Sequence, residues 1–148
     1  MAKSKLRRMD NVLIVVDDLD RAIRFFTDLG LELEGRATVE GESVDRLVGL
    51  EGVSSEIAML RTADGQGVEL DKFHTPPAVR PEPADAPVNT LGIRRIMFAV
   101  DDLDAVLARL YGNGAELVGE VVQYEDSYRL CYVRGPEGLM VALAQKLI

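Results

Sequence analysis

Few side chains in this sequence of 148 residues could carry catalytic chemistry by themselves. It contains one histidine, His74, and one cysteine, Cys131. His74 follows the strand-like run VELDKF at the start of a proline-rich segment, so we expect an exposed loop residue rather than a general base. Cys131 has no histidine near it in sequence to activate its thiol, which predicts packing rather than nucleophilic catalysis. No G-x-S-x-G or phosphate-cradling GxxxxGK pattern occurs.

Two acidic pairs, Asp17 with Asp18 and Asp101 with Asp102, could suggest a metal cluster. Each pair stands between a short β-rich run and a helical pattern of apolar residues. Asp18 and Asp102 are therefore placed to accept hydrogen bonds from the free N–H groups of a helix start. Helix capping explains both pairs better than metal binding does.

The elements that position these residues come from an internal repeat. Residues 11–35 align with residues 95–119 and are identical at nine of twenty-five positions, the five of VDDLD and four further on. RTADGQGVEL from Arg61 aligns in turn with RGPEGLMVAL from Arg134, with eleven extra residues in the first copy. A repeat of this length implies two copies of one supersecondary unit, neither of which buries its apolar face alone.

Each copy predicts the same element order, βαβββ. The first strand of each copy precedes a helix with apolar residues at i, i+3, i+4 and i+7, which Gly30 or Gly114 ends as a cap of positive φ. The later strands are predicted at 31–34, 56–60 and 68–73, then at 116–122, 128–133 and 139–144. We expect an α+β fold with one domain over 1–148, comprising module one at about 9–74, a proline-rich linker at 75–90 and module two at about 91–146. The linker is expected to be an exposed tether without chemistry.

Paired βαβββ modules with V-x-D-L at each helix start, a G-x-x-L cap and a P-x-G hairpin before the last strand resemble the vicinal oxygen chelate superfamily. This superfamily includes glyoxalase I, extradiol dioxygenases, methylmalonyl-CoA epimerase, fosfomycin-resistance transferases and bleomycin-resistance proteins. The resemblance covers about residues 11–143. It implies curled mixed sheets around a shared cavity, often with a second chain completing it.

Enzymes of that superfamily hold a divalent metal through one residue on the first strand and one on the last strand of each module. The matching positions here are Asn11, Glu69, Arg95 and Ala142. Of these only Glu69 is a good ligand, whereas Ala142 has no donor and the permanent cation of Arg95 would repel a metal ion. We therefore expect no metal, no other cofactor and no catalytic residue of the usual kind.

Strand alternation predicts which side chains face the cavity, because every second residue lies on the same face. We hypothesise that Glu69 and Arg95 pair where the metal would be, and that the tyrosines of module two flank a planar ligand. The predicted ligand-binding residues are Asn11, Leu13, Met59, Glu69, Arg95, Met97, Tyr124, Tyr128 and Ala142.

Two classes of function remain open. The first is a binder that sequesters a natural product or antibiotic without metal catalysis, as bleomycin-resistance proteins do; the resemblance then implies a homodimer. The second is a glyoxalase-like lyase, isomerase or dioxygenase with a metal-independent site, in which Glu69 is a base and Arg95 an oxyanion or carboxylate clamp. A regulatory or purely structural module is a third reading.

Charge and composition limit the partners. The formal net charge of −8 disfavours nucleic acid, and no apolar run is long enough to span a membrane. A single cysteine and the absence of a signal-peptide pattern favour the cytoplasm. We expect a small-molecule ligand as the partner.

Overall fold

A computed structural model describes residues 5–147. Module one forms a four-stranded sheet in the order β1-β4-β3-β2, in which β1 runs parallel to β4 and the other neighbours are antiparallel. Its elements are β1 (Asn11–Val15), α1 (Leu19–Leu29), β2 (Glu32–Glu40), α2 (Glu42–Val48), β3 (Ser54–Arg61) and β4 (Gly67–Thr75).

Module two repeats this topology in a second mixed sheet of order β5-β9-β8-β6, with β7 also pairing with β8. Its elements are β5 (Arg95–Ala99), α3 (Leu103–Tyr111), β6 (Glu116–Leu117), β7 (Val122–Tyr124), β8 (Tyr128–Arg134), a single 3-10 turn (Pro136–Gly138) and β9 (Met140–Lys146). The predicted α+β architecture of two modules with mixed sheets is confirmed.

Helix capping follows the sequence prediction at both starts. The side chain of Asp18 accepts a hydrogen bond from the backbone N–H of Arg21 at 3.0 Å, and that of Asp102 accepts one from Ala105 at 3.1 Å. Gly30 caps the end of α1 with φ of 128°. The prediction for α3 was wrong in detail, because its cap is Gly112 at φ −60°.

Three element predictions need correction. Helix α2 was not predicted; it lies in the stretch between β2 and β3. The single strand predicted over 116–122 is two short strands, because the chain between Val118 and Val121 leaves the ladder, with only Val118 N–H bonded to the Tyr132 carbonyl. Strand β2 continues six residues beyond Glu34, because β3 pairs with it as far as Glu40.

One apolar core joins the two modules. Helix α1 packs on sheet one, α3 packs on sheet two, and the two helices contact each other. Phe25 and Phe26 of α1 and Leu107 and Leu110 of α3 are buried in the same cluster. Each sheet keeps one face turned away from this core.

The linker is more than a tether, which corrects the sequence interpretation. Arg80 forms an ion pair with Asp17 at the start of module one. The side chain of Arg134 donates a hydrogen bond to the Ala86 carbonyl at 3.2 Å. Most linker residues are exposed, yet these contacts hold the segment against both modules. Within residues 5–147, no helix is long and apolar enough to cross a membrane.

Candidate ligand-binding faces

The face of sheet one that lies away from the helices carries the predicted residues of module one. Parallel pairing places Leu13 of β1 opposite Glu69 of β4, and antiparallel pairing places Met59 of β3 on the other side of Glu69. The three residues form one row across the sheet, which we call open face one together with the neighbouring row of Val15 and Asp71. Leu13 is 47% exposed, whereas Ile14 of the same strand packs against the core.

Asp71 is a member of this face that sequence reasoning missed. It lies two residues after Glu69 on β4 and is only 8% exposed. Its Oδ1 has no hydrogen-bond partner among the described residues. Burial raises the pKa of Asp71, and a hydrogen bond from the buried Ser55 side chain offsets part of that rise. The signal available in the sequence was a second acid two residues along the same strand.

The pKa of Glu69 is also raised, first by burial and then by the negative charge of Asp71. Two carboxyl groups on adjacent rows therefore resist ionising together. A donor-rich or cationic group placed against this face would favour their charged forms. Open face one thus presents two carboxyl groups bordered by Leu13 and Met59.

The corresponding face of sheet two has different chemistry. Met97 of β5 lies opposite Ala142 of β9, and Tyr132 of β8 lies on the other side of Ala142. This row is equivalent by the repeat to the row of Leu13, Glu69 and Met59. With Arg95 it defines open face two. Met97 is 42% exposed, while Ala142 is fully buried.

Arg95 is bound to the tyrosine of this row. Its Nε donates a hydrogen bond to the Tyr132 hydroxyl at 2.6 Å, and its guanidinium carbon lies 5.5 Å from the centre of the Tyr132 ring. Such an arrangement combines a hydrogen bond with cation–π attraction. Tyr132 was not among the predicted site residues, although its place in a run of strand tyrosines was visible in the sequence.

Tyr124 and Tyr128 are cross-strand partners at the β7–β8 hairpin. They are 61% and 40% exposed, and Tyr128 lies on the same side of β8 as Tyr132. They extend open face two toward solvent and leave one side of each ring available to a planar molecule.

The hypothesis of a Glu69–Arg95 pair is wrong for a single chain. The two residues belong to separate sheets, and no ion pair joins them in the part of the chain that the structure describes. Arg95 contacts Tyr132 instead, and Arg95 makes no contribution to the raised pKa of Glu69. Repeat equivalence predicted matching positions correctly, but equivalent positions in two sheets need not be in contact.

The four superfamily metal positions do not fit a divalent ion. Asn11 bonds through its Nδ2 to Asp10 at 3.0 Å, Arg95 is a cation, and Ala142 offers no donor atom. Over residues 5–147 there is no group of three or more His, Cys, Asp or Glu residues arranged to hold a metal. Glu69 with Asp71 supplies carboxylate oxygens from one strand only.

His74 and Cys131 behave as the sequence indicated. His74 is exposed near the end of β4, and Cys131 is buried in the core on β8. Burial raises the pKa of the Cys131 thiol, which disfavours the reactive thiolate.

A cavity of about 420 Å³ lies between the modules. Its walls include strand β1, the start of β5, the 3-10 turn and linker residues 81–86. Of the nine predicted ligand-binding residues, only Leu13 and Arg95 border it; the others lie on the two open faces or at their edges.

Comparison with known proteins decides which family this architecture represents. The profile of the glyoxalase/bleomycin resistance protein/dioxygenase superfamily matches residues 8–143. The chain belongs to this superfamily. The relationship explains the paired βαβββ modules and the equivalent first-strand and last-strand positions.

Solved structures with the same fold resemble the chain to different degrees. A glyoxalase family protein from Bacillus cereus is 57% identical, with a TM-score of 0.94 and coverage of 100% of this chain and 99% of that one. A glyoxalase/dioxygenase from Nostoc punctiforme is 22% identical, with a TM-score of 0.66 and 99% of each chain covered. The trypanothione-dependent glyoxalase I of Leishmania major is 19% identical, with a TM-score of 0.64 and coverage of 95% and 87%. The last two share the fold of the superfamily. Among curated proteins, none matches the sequence significantly.

Proposed function

We propose that this superfamily member binds a small molecule, sequestering a natural product or antibiotic without metal catalysis. The observation that carries the proposal is the replacement of metal-ligand chemistry at the four equivalent positions. Where a metal enzyme needs four donors, this chain has one acid, Glu69, an arginine held on Tyr132 and an alanine without donor atoms. Such groups recognise a ligand through hydrogen bonds, charge and apolar contact.

The two open faces suggest what the ligand carries. Face one presents the carboxyl groups of Glu69 and Asp71 beside Leu13. Face two presents tyrosine rings and methionine around the guanidinium of Arg95. A molecule with a flat apolar body and at least one hydrogen-bond donor or amine complements both faces.

The proposal includes a homodimer. Each face is solvent-exposed at its first strand, where Leu13 and Met97 are 47% and 42% exposed. A second copy that brings its face two against face one of its neighbour encloses two equivalent sites, as a closed twofold assembly requires. Sedimentation analysis at micromolar concentration tests this element, because a monomeric mass contradicts it.

Ligand binding is tested by thermal shift with a panel of aromatic natural products containing amines. A ligand at 100 times its Kd adds about 2.7 kcal/mol of stability. We expect at least one compound to stabilise the wild type, and Glu69→Gln and Tyr132→Phe to reduce its affinity about tenfold each. Glu32→Gln is the matched control, since Glu32 is an exposed acid on β2 outside both rows defined above. A panel without any stabilising compound, together with stoichiometric metal in the purified protein, contradicts the proposal.

The raised pKa of Glu69 favours a second candidate, a metal-independent lyase, isomerase or dioxygenase-like enzyme. A carboxylate with raised pKa is a better base near neutral pH, and Arg95 supplies a cation for a developing oxyanion. Turnover of a thiohemiacetal or a catechol that Glu69→Gln abolishes, with binding retained, would replace sequestration by this function.

A further inference from the structure

The cavity between the modules lies along the edges of the two first strands, beside the linker. Four consecutive residues of β1, Val12 to Val15, border it, so side chains from both faces of that strand contribute. From the start of β5, Arg95 and Ile96 border it, together with the preceding Arg94. The cavity therefore meets the two open faces at Leu13 and Arg95 and continues past them toward the linker.

Most of the charged side chains around this cavity already have hydrogen-bond or ion-pair partners. Arg134 donates hydrogen bonds to the carbonyls of Gly138 at 2.9 Å and Ala86 at 3.2 Å. Glu137 accepts the backbone N–H of Asp17 at 3.1 Å and lies 3.8 Å from Arg80. The guanidinium of Arg95 is bound to Tyr132.

Arg94 is different. It is half-buried immediately before β5, and its Nε is shielded from solvent without a hydrogen-bond partner within residues 5–147. It forms no ion pair with any described acid. Glu82, the remaining acid of the lining, is exposed on the linker at the rim. A shielded N–H donor without an acceptor is unfavourable, and an anion that accepts a hydrogen bond from the Arg94 Nε would remove that cost.

The remaining walls are apolar. They comprise Val12, Ile14, Ile96, Leu139 and Met140 together with prolines of the linker. At about 420 Å³ the cavity lies at the small end of the range for ligand pockets, which is roughly 300 to 1,000 Å³. The lining thus offers one uncommitted cation to the head of a ligand and hydrocarbon contact to the rest of it.

We propose that this cavity binds a small monocarboxylate with an apolar tail, anchored by the guanidinium of Arg94. The fork of N–H donors on arginine matches the two oxygens of a carboxylate, and one cation balances one negative charge. The site differs from the one proposed for the open faces because its anchor, Arg94, belongs to neither face. The linker forms its outer wall through Pro81 to Ala86.

Titration of the full-length protein with octanoate tests the proposal, with octan-1-ol as the neutral probe of the same length. We expect saturable octanoate binding that Arg94→Gln weakens at least tenfold, because hydrogen bonds to a charged group are worth that much. Octan-1-ol should bind the wild type and Arg94→Gln equally weakly. Glu82→Gln removes a charge at the rim, and Arg95→Gln removes the second cation that borders the cavity. Both should retain octanoate affinity, because the Arg95 guanidinium is already bound to Tyr132.

Methyl NMR spectra locate the bound probe. Shifts at Ile14, Ile96 and Leu139 that exceed those at Met59 and Met97 support the cavity. Shifts centred on Met97, or affinity lost in Arg95→Gln but kept in Arg94→Gln, overturn the proposal. Absence of saturable octanoate binding overturns it too. None of these outcomes decides whether an aromatic ligand binds the open faces, so the two proposals fail separately.

Discussion

The Nε of Arg95 donates a hydrogen bond to the hydroxyl of Tyr132 at 2.6 Å, and its guanidinium also lies over the Tyr132 ring. This pair occupies the first-strand position of module two, where a superfamily enzyme would present a metal ligand. The contact orients Arg95 on open face two and fixes the ring beside Ala142.

Tyr132→Phe is expected to keep the ring and remove the hydroxyl acceptor. Because Arg95 is exposed, stability should fall by less than about 1 kcal/mol. Binding of a ligand identified on the open faces should fall more, about tenfold, since Arg95 loses its fixed orientation. Chemical denaturation and isothermal titration separate the two effects. Equal affinity in Tyr132→Phe and wild type would assign the hydroxyl no part in recognition.

Asp71→Asn should change how stability depends on pH. The fold raises the pKa of Asp71, so wild-type stability falls as pH rises from the ordinary value of 3.8 through the folded pKa. The variant lacks this loss. Its stability relative to wild type should therefore increase as the pH rises from 3.8 through the folded pKa.

Asp104→Asn provides a control of opposite sign. Hydrogen bonds from Arg129 hold the pKa of Asp104 below its ordinary value, so its contribution is present above that value and disappears as pH falls. The variant should lose stability relative to wild type at neutral pH and match it in acid. Urea denaturation over the pH series measures both variants, and parallel curves for the two would refute the assigned environments.

Gly135→Ala tests the contact between the modules. A Cβ added at Gly135 would lie 2.7 and 2.8 Å from two ring carbons of Phe25, a buried residue of α1. Overpacking of this kind costs about 1–3 kcal/mol. Gly119→Ala is the control, because the added Cβ meets nothing within 4 Å there. Thermal unfolding should show a lower Tm for Gly135→Ala only, with one cooperative transition in both proteins.

Arg134→Met should destabilise the protein by about 1–3 kcal/mol, because two partly buried carbonyls lose their donor. The repeat supplies a matched control in Arg61→Met. Arg61 makes the equivalent bond to Gly65 at 3.0 Å, in an exposed setting and without a linker contact. We expect a loss below about 1 kcal/mol there. Similar losses in both variants would mean that the linker contact contributes nothing.

Much of the fold was predictable because its signals are local. VDDLD marked both helix starts, since an aspartate before an amphipathic helix caps its free N–H groups. Strand alternation correctly predicted that Leu13 and Met97 lie on the exposed face of their strands, and that Ile14 and Phe98 lie on the face toward the core. The repeat predicted that Glu69 and Ala142 are equivalent, and strand register agrees.

The site was only partly predictable, because contacts between distant strands depend on sheet register. Arg95 lies on β5 and Tyr132 on β8, and their side chains contact each other across β9, the strand between them. The burial of Asp71 depends on packing, which leaves its Oδ1 shielded and without a partner among the described residues. The unpartnered Nε of Arg94 is likewise a property of packing.

The amino-acid sequence by itself determined the repeated βαβββ unit, its capped helices and the loss of metal-ligating side chains, because these depend on residue type and short-range periodicity. Only the tertiary structure decided which residues of the two copies come together. Packing of α1 against α3 buries one common core, while Glu69 and Arg95 belong to different sheets. A cavity remains beside the two first strands, where Arg94 lacks a partner within the described chain.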